Sequence, residues 1–293
     1  MKLNFYSILA SRFLWKKRPT GEPAVHAKKT WKQRAKMLSF SKTVLFFTLL
    51  FLFIPLIIIT VFSFNKSKGG EFTGLSLIWY KKLLFESGDL WAALFNSLIV
   101  AVTAGIVSTI LGTLSALGIS WYKFRGRSFI QTISFLPMVL PEVIIGVSML
   151  IFFSGIKLPL GLFTIFAAHT TFCLPFVYLM ISARLDEFDF SIIEAAHDLG
   201  ATELQTMTKV IIPAIMPGIL SGFLMAITMS LEDFVITFFV SGPGSTTLPL
   251  YVYSMIRFGV SPVINSLSFV MILCTCFIAF VLRGGLKTVA SNR

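Results

Sequence analysis

Ser191–Gly218 reads S-I-I-E-A-A-H-D-L-G-A-T-E-L-Q-T-M-T-K-V-I-I-P-A-I-M-P-G, a polar island between two long apolar runs. Its lettering describes two short helices joined at Gly200. Ser191, followed three residues later by Glu194, has the spacing of a capping box, in which two side chains satisfy orphan amides at a helix start. Ile192, Ala195, Ala196 and Leu199 then recur at helical spacing, which leaves Glu194, His197 and Asp198 on other faces. Gly200 suits the left-handed turn that ends a helix. Thr202 and Gln205 repeat the capping box, and Pro213, which has no amide proton, is expected to stop the second helix. The island is therefore expected to form a helix-turn-helix elbow on one aqueous face.

Around this elbow the chain is apolar. Its 293 residues are 56% hydrophobic, include 31 Phe and have a mean hydropathy of +0.85. That composition excludes an ordinary soluble domain and points to an all-α polytopic membrane protein. A span needs about 20 apolar residues to cross a hydrocarbon core of ~30 Å. Six such runs are expected, near 43–65, 90–122, 128–154, 160–183, 215–240 and 263–282. Pro55 is a candidate kink in the first, and Gly105, Gly112 and Gly118 would let the second pack closely on its neighbours. Pro137 and Pro141 break the third. The domains expected from this pattern are a basic extension over 1–41, a six-span membrane body over 42–283 with its elbow at 185–213, and a short tail over 284–293. Within the extension, Trp31, Ala35 and Leu38 fit either a short interfacial helix or an unstructured basic tail. The first apolar run is too long for a cleavable secretory signal, and no small-residue cleavage site follows it.

The net charge of +12 is not read as a nucleic-acid footprint, because the basic residues gather at the ends of the apolar runs. There they serve as orientation signals and contacts to anionic lipid. With six spans, 19 of the 25 Lys/Arg fall on the side that holds both termini and the elbow. The positive-inside rule makes that side the cytoplasm. Cys173, Cys274 and Cys276 all lie in apolar runs and read as small buried hydrophobes.

Glu194-Ala195-Ala196, three residues, Gly200, nine residues and Val210-Ile211-Ile212-Pro213 resembles the EAA loop of bacterial ABC-importer permeases, whose pattern is E-A-A-x3-G-x9-I-x-L-P. Val210 and Ile212 depart from that pattern but keep apolar size. The resemblance implies a type I importer permease in the inner membrane, whose elbow docks into a separate ATP-hydrolysing subunit through Glu194, Ala195, Ala196, Asp198, Gly200 and Pro213. It further implies a pair of those ATPase subunits, a second homologous permease and a periplasmic substrate-binding protein as partners. The chain carries no G-x-x-x-x-G-K-[ST] phosphate loop. By that route ATP would be bound by the partners, and no cofactor, resident metal or enzymatic activity is expected of this chain. No Ser/His/Asp or metal-ligand set is evident along the sequence, and the His169–Cys173 pair at i, i+4 reads as packing.

Glu142, Glu232 and Asp233 are the formally charged residues deep within the apolar runs, and all three are acidic. An Asp at the centre of a span costs ~2.5 kcal/mol or more, so such groups face a cavity or a partner. Lacking a formally basic residue nearby, they are either protonated or hydrogen-bonded structural groups, or they line a path that cations cross. Glu232 and Asp233 diverge by about 100° on a helix, so one of them is expected to face neighbouring helices. The stretches G-L-S-L-I-W-Y-K-K-L-L-F and E-D-F-V-I-T-F-F-V-S-G-P resemble polyamine-importer permeases. By that resemblance Glu142 and Asp233 fall on the polyamine route and Trp79 on its periplasmic aromatic. Trp79 and Tyr80 equally suit an interfacial aromatic belt. Two other readings remain at this level: the same machine with another cargo, such as ferric ion or an amino acid, and a secondary transporter that uses the carboxylates for protons.

Overall fold

The computed structural model describes residues 31–68, 70–122, 124–258 and 262–291, with side chains described within 40–277. It is helical throughout, with one isolated antiparallel bridge, Asn65–Leu75, among the described residues. The chain divides into two units, Met1–Ile57 and Ile58–Arg293.

The first unit holds most of α1 (Trp31–Ser63), which runs through Pro55 without interruption. Every side chain from Phe40 to Ile57 is exposed. A helix apolar all round and uncovered in its own chain is suited to lipid or to a partner's helices. The expected boundary at residue 41 falls inside α1, whereas residues 1–30 of the basic extension lie outside the described residues, as do the side chains of Trp31, Ala35 and Leu38.

The second unit is built on three long helices, α3 (Gly88–Trp121), α7 (Leu162–Asp186) and α10 (Ile212–Glu232). Small residues bring them together. A Cβ added to Gly112 would sit 2.7 Å from Val177 Cγ1, and one added to Gly222 would sit 3.1 Å from it. Val177 of α7 is thus gripped between backbones of α3 and α10, as expected where close contact replaces the hydrophobic drive that lipid removes. Gly118 has nothing within 4 Å and takes no part, contrary to the expectation from its sequence neighbours.

The third expected span is broken. Helices α4 (Arg127–Ser134) and α5 (Leu136–Val139) end at Leu140-Pro141, and α6 (Glu142–Gly155) leaves at 110° to them. Proline cannot donate the helical hydrogen bond and pushes its predecessor into extended backbone, which is what Leu140 adopts at ψ 139. The fifth span is also interrupted: α10 stops at Glu232, and α11 (Val235–Val240) starts afresh. That short helix packs on α6, where Gly146 leaves room for Phe239. Two further helices, α12 (Leu248–Phe258) and α13 (Pro262–Ser291), follow. α13 joins α2 (Ile78–Phe85) through a cluster of Leu83, Leu90, Leu248 and Leu267. Among the described residues four helices are long and apolar enough to span a membrane, or five with the bent pair, and Pro262–Phe277 is a shorter apolar helix at the place of the sixth. The boundary expected at 283 is crossed by α13.

Candidate functional site

The elbow has the expected plan with different fastenings. Its first helix, α8, covers Ser191–Asp198, but the cap is Asp189, whose Oδ1 accepts from the Ser191 amide at 3.0 Å. Ser191 is already inside the helix, and Glu194 is exposed in the first turn without a capping bond. The bond from Ser191 holds the exposed Asp189 carboxyl below its usual value. At the other end Gly200 has φ +79°, its amide donates to His197 O at 2.8 Å, and the Ala201 amide donates to Ala196 O at 3.0 Å. These two bonds form a Schellman motif, which needs the left-handed residue that glycine supplies most cheaply.

Thr202 and Gln205 form the reciprocal box as expected: Thr202 N–H donates to Gln205 Oε1 at 3.0 Å, and Gln205 N–H to Thr202 Oγ1 at 3.4 Å. Pro213 does not stop the helix that follows. After α9 (Glu203–Thr206) the backbone widens into one π-turn, Met207–Ile211, in which the Ile212 amide reaches back to Met207 O. Pro213 then sits in the first turn of α10, directly after the widened turn. The second half of the elbow is therefore continuous with a membrane helix.

Leu199 and Leu204 are 89% and 73% exposed, while Ile193 and Met207 turn inward onto the core. The exposed face thus includes Leu199, which the spacing grouped with the apolar stripe. Ala195, Asp198 and Gly200 are exposed beside Glu194, as is Pro213, and Ala196 is half-buried. Behind the elbow lies a groove of about 560 Å³ bordered by Trp121, Phe190, His197 and Thr206.

The three acidic residues of the apolar runs stand at the two helix breaks. Glu142 is the first residue of α6, exposed, and within electrostatic reach of both Asp233 and Glu232. Glu232, the last residue of α10, is also exposed. Asp233 is 6% exposed and turns the other way. Its Oδ1 accepts from the Ile236 amide at 3.2 Å, and its Oδ2 accepts from the Thr237 amide and hydroxyl, both at 2.9 Å. Asp233 thereby caps α11.

It also has a partner the sequence did not reveal: His169 Nε2 of α7 lies 3.1 Å from Asp233 Oδ2 and 3.0 Å from Thr237 Oγ1. His169 Nδ1 in turn lies 2.7 Å from Ser230 Oγ. A Ser–His–Asp set is thus assembled after all, from residues up to 64 positions apart. All of it is buried, so its hydroxyl is not presented to a substrate and the set reads as a polar clasp. Cys173, one turn beyond His169, leans its thiol on Ala226 O at 3.6 Å.

Trp79 and Tyr80 lie elsewhere. Trp79 is 4% exposed, its indole N–H donates to Asn65 O at 2.6 Å, and Lys82 Nζ stands 5.4 Å from its ring. Tyr80 shares a 2.7 Å hydrogen bond with Ser63 Oγ and stacks near Phe64 and Phe269. None of these contacts reaches the carboxylates; the pair fastens α2 to the end of the first span, at Ser63, and to Asn65 just beyond it.

Residues 108–287 match the family described as binding-protein-dependent transport system inner membrane component. The chain is 38% identical over 223 residues to the spermidine/putrescine transport system permease protein PotC of Escherichia coli strain K12, covering 76% of this chain and 84% of that one. It is 40% identical over 239 residues to the putrescine transport system permease protein PotI of the same strain, covering 79% and 85%. Among solved structures, a bacterial ABC transporter involved in import of the acidic polysaccharide alginate has the same fold, with a TM-score of 0.66, 18% identity and coverage of 86% and 97%. The elbow, the interrupted spans and these matches together carry one conclusion: the chain belongs to the family of inner-membrane components of binding-protein-dependent transport systems, the permeases of ABC importers.

Proposed function

We propose that this permease forms half of the translocation channel of an ATP-driven importer for polyamines, spermidine and putrescine. A homologous permease forms the other half, a dimer of ATPase subunits grips the elbow from the cytoplasm, and a periplasmic protein delivers the substrate. Both termini and the elbow face the cytoplasm, in line with the placement of Lys and Arg. ATP binding by the partners moves the elbow, and the π-turn passes that motion directly into α10, whose far end carries Glu232.

The observation that carries the cargo is the pair of exposed carboxylates, Glu142 and Glu232, drawn together at two helix breaks. Ammonium groups spaced along a flexible polyamine are matched by such carboxylates through charge-assisted hydrogen bonds, whereas an anion would be repelled. The names of the two polyamine-permease relatives point the same way.

The test is uptake of labelled spermidine into proteoliposomes holding the assembled complex. Glu142→Gln and Glu232→Gln are each expected to raise the apparent KM roughly tenfold or more, the scale of one lost bond to a charged group. Unchanged KM in both variants would overturn the carboxylate pathway. Failure of excess spermidine or putrescine to compete with the transported cargo would overturn the cargo itself.

A further inference from the structure

Four donors converge on the Asp233 carboxylate: Ile236 N–H on Oδ1, and Thr237 N–H, Thr237 O–H and His169 Nε2–H on Oδ2. Three of these bonds are local to the start of α11. The third element, α7, enters only through His169.

The two ring nitrogens of His169 reach opposite flanks of Glu232. Nε2 bonds to Asp233, the residue after it, and Nδ1 to the Ser230 hydroxyl, two residues before it. The ring is buried at 1% exposure, in the three-helix core that Val177 also occupies. Short side chains on either side of a helix break leave the turn between them free to swing. A buried ring bonded to both sides removes that freedom, so Glu232 has one direction left, outward.

We infer that His169 is a positioning residue for transport: by clasping Ser230 and Asp233 it aims the intervening Glu232 carboxylate into the cation path beside Glu142. This rests on the polyamine pathway proposed above and deepens it, because it divides the three acidic groups into two that receive the cargo and one, Asp233, that holds the turn. Gln has the reach to imitate the clasp, its amide N–H donating to Asp233 and its carbonyl accepting from Ser230. Leu matches the volume and makes neither bond.

Spermidine uptake by the reconstituted complex distinguishes this from a merely structural histidine. His169→Leu is expected to raise the apparent KM roughly tenfold while the maximal rate per assembled complex stays within about twofold. His169→Gln should restore most of the affinity. In a Glu232→Gln background His169→Leu should add no further rise in KM, since the group it aims is gone. An unchanged KM, a loss confined to the maximal rate, or an equal rise in both backgrounds would each overturn the inference while the Glu232→Gln result stands on its own. A wild-type KM for Glu232→Gln alone would instead remove Glu232 from the pathway and this inference with it. Should His169→Leu fail to assemble, Ser230→Ala, which removes only the Nδ1 bond, takes its place, with a smaller rise and the same dependence on Glu232.

Discussion

Gly200 shows how a single position sets the elbow. At φ +79° any side chain brings its Cβ against the following carbonyl oxygen, at a cost of about 1 kcal/mol or more. Space is not the obstacle, because nothing lies within 4 Å of the added atom. Gly200→Ala is therefore expected to loosen the Schellman turn without disturbing the core. The measured outcome should be ATP hydrolysis that persists while uptake per ATP falls; a variant with normal coupling would show that the turn's rigidity is not what transmits the stroke. Asp189 carries a smaller effect with a definite sign. Its carboxyl is held below the ordinary value by the Ser191 amide, so the stabilisation it gives α8 is present above the unfolded value of about 3.9 and is lost as pH falls through the lower folded one. At pH 7 Asp189→Asn, which keeps an acceptor, should leave α8 protected from amide hydrogen exchange, and Asp189→Ala should not. Equal protection in the two variants would remove Asp189 as the cap.

Among elements, α3, α7 and α10 meet closely through Val177. Adding bulk at Gly112 pushes a methyl to within 2.7 Å of a β-branched side chain that has little rotational freedom. Gly112→Val is expected to cost about 1–3 kcal/mol, the usual scale of overpacking, seen as a lower Tm of the detergent-purified complex. Val177→Ala in the same chain should recover most of it, and failure of that rescue would place the strain elsewhere. The two broken spans follow a different logic. Leu140-Pro141 breaks the third by removing a donor, and Asp233 ends the fifth by capping the helix after it. Both leave backbone groups free at membrane depth, which is tolerated only where protein or a polar cavity satisfies them.

For the whole molecule the face to be checked is the elbow, where Leu199 and Leu204 stand almost fully in solvent. Apolar side chains this exposed on a polar loop mark a surface meant to be covered. Leu199→Asp is expected to weaken association with the ATPase subunits while the permease keeps its Tm; unaltered co-purification would remove that face from the interface. Orientation has its own readout. A cysteine introduced at Leu199 in a background lacking Cys173, Cys274 and Cys276 should react with an impermeant maleimide in inside-out vesicles and not in intact cells. Labelling from the periplasmic side would reverse the topology.

Local chemistry was enough to read much of this protein. The apolar runs, the two helices of the elbow, Gly200 at its turn, the Thr202–Gln205 box and the break before Glu142 all rest on interactions within a few residues, and so are written in adjacent letters. The cap of α8 was misassigned by two positions because Asp189 and Ser191 offer the same kind of acceptor, and only backbone geometry chooses between them. Pro213 reads as a stop because proline lacks the amide proton, yet the turn before it widens and the helix runs on, with Ile211 and Ile215 buried in the core. What tertiary structure alone decided is which carboxylate is clasped and which are free. His169, Ser230 and Asp233 come from two helices separated by dozens of residues, and a buried polar bond between distant elements leaves no spacing in the chain, only a fold that brings them within 3.1 Å.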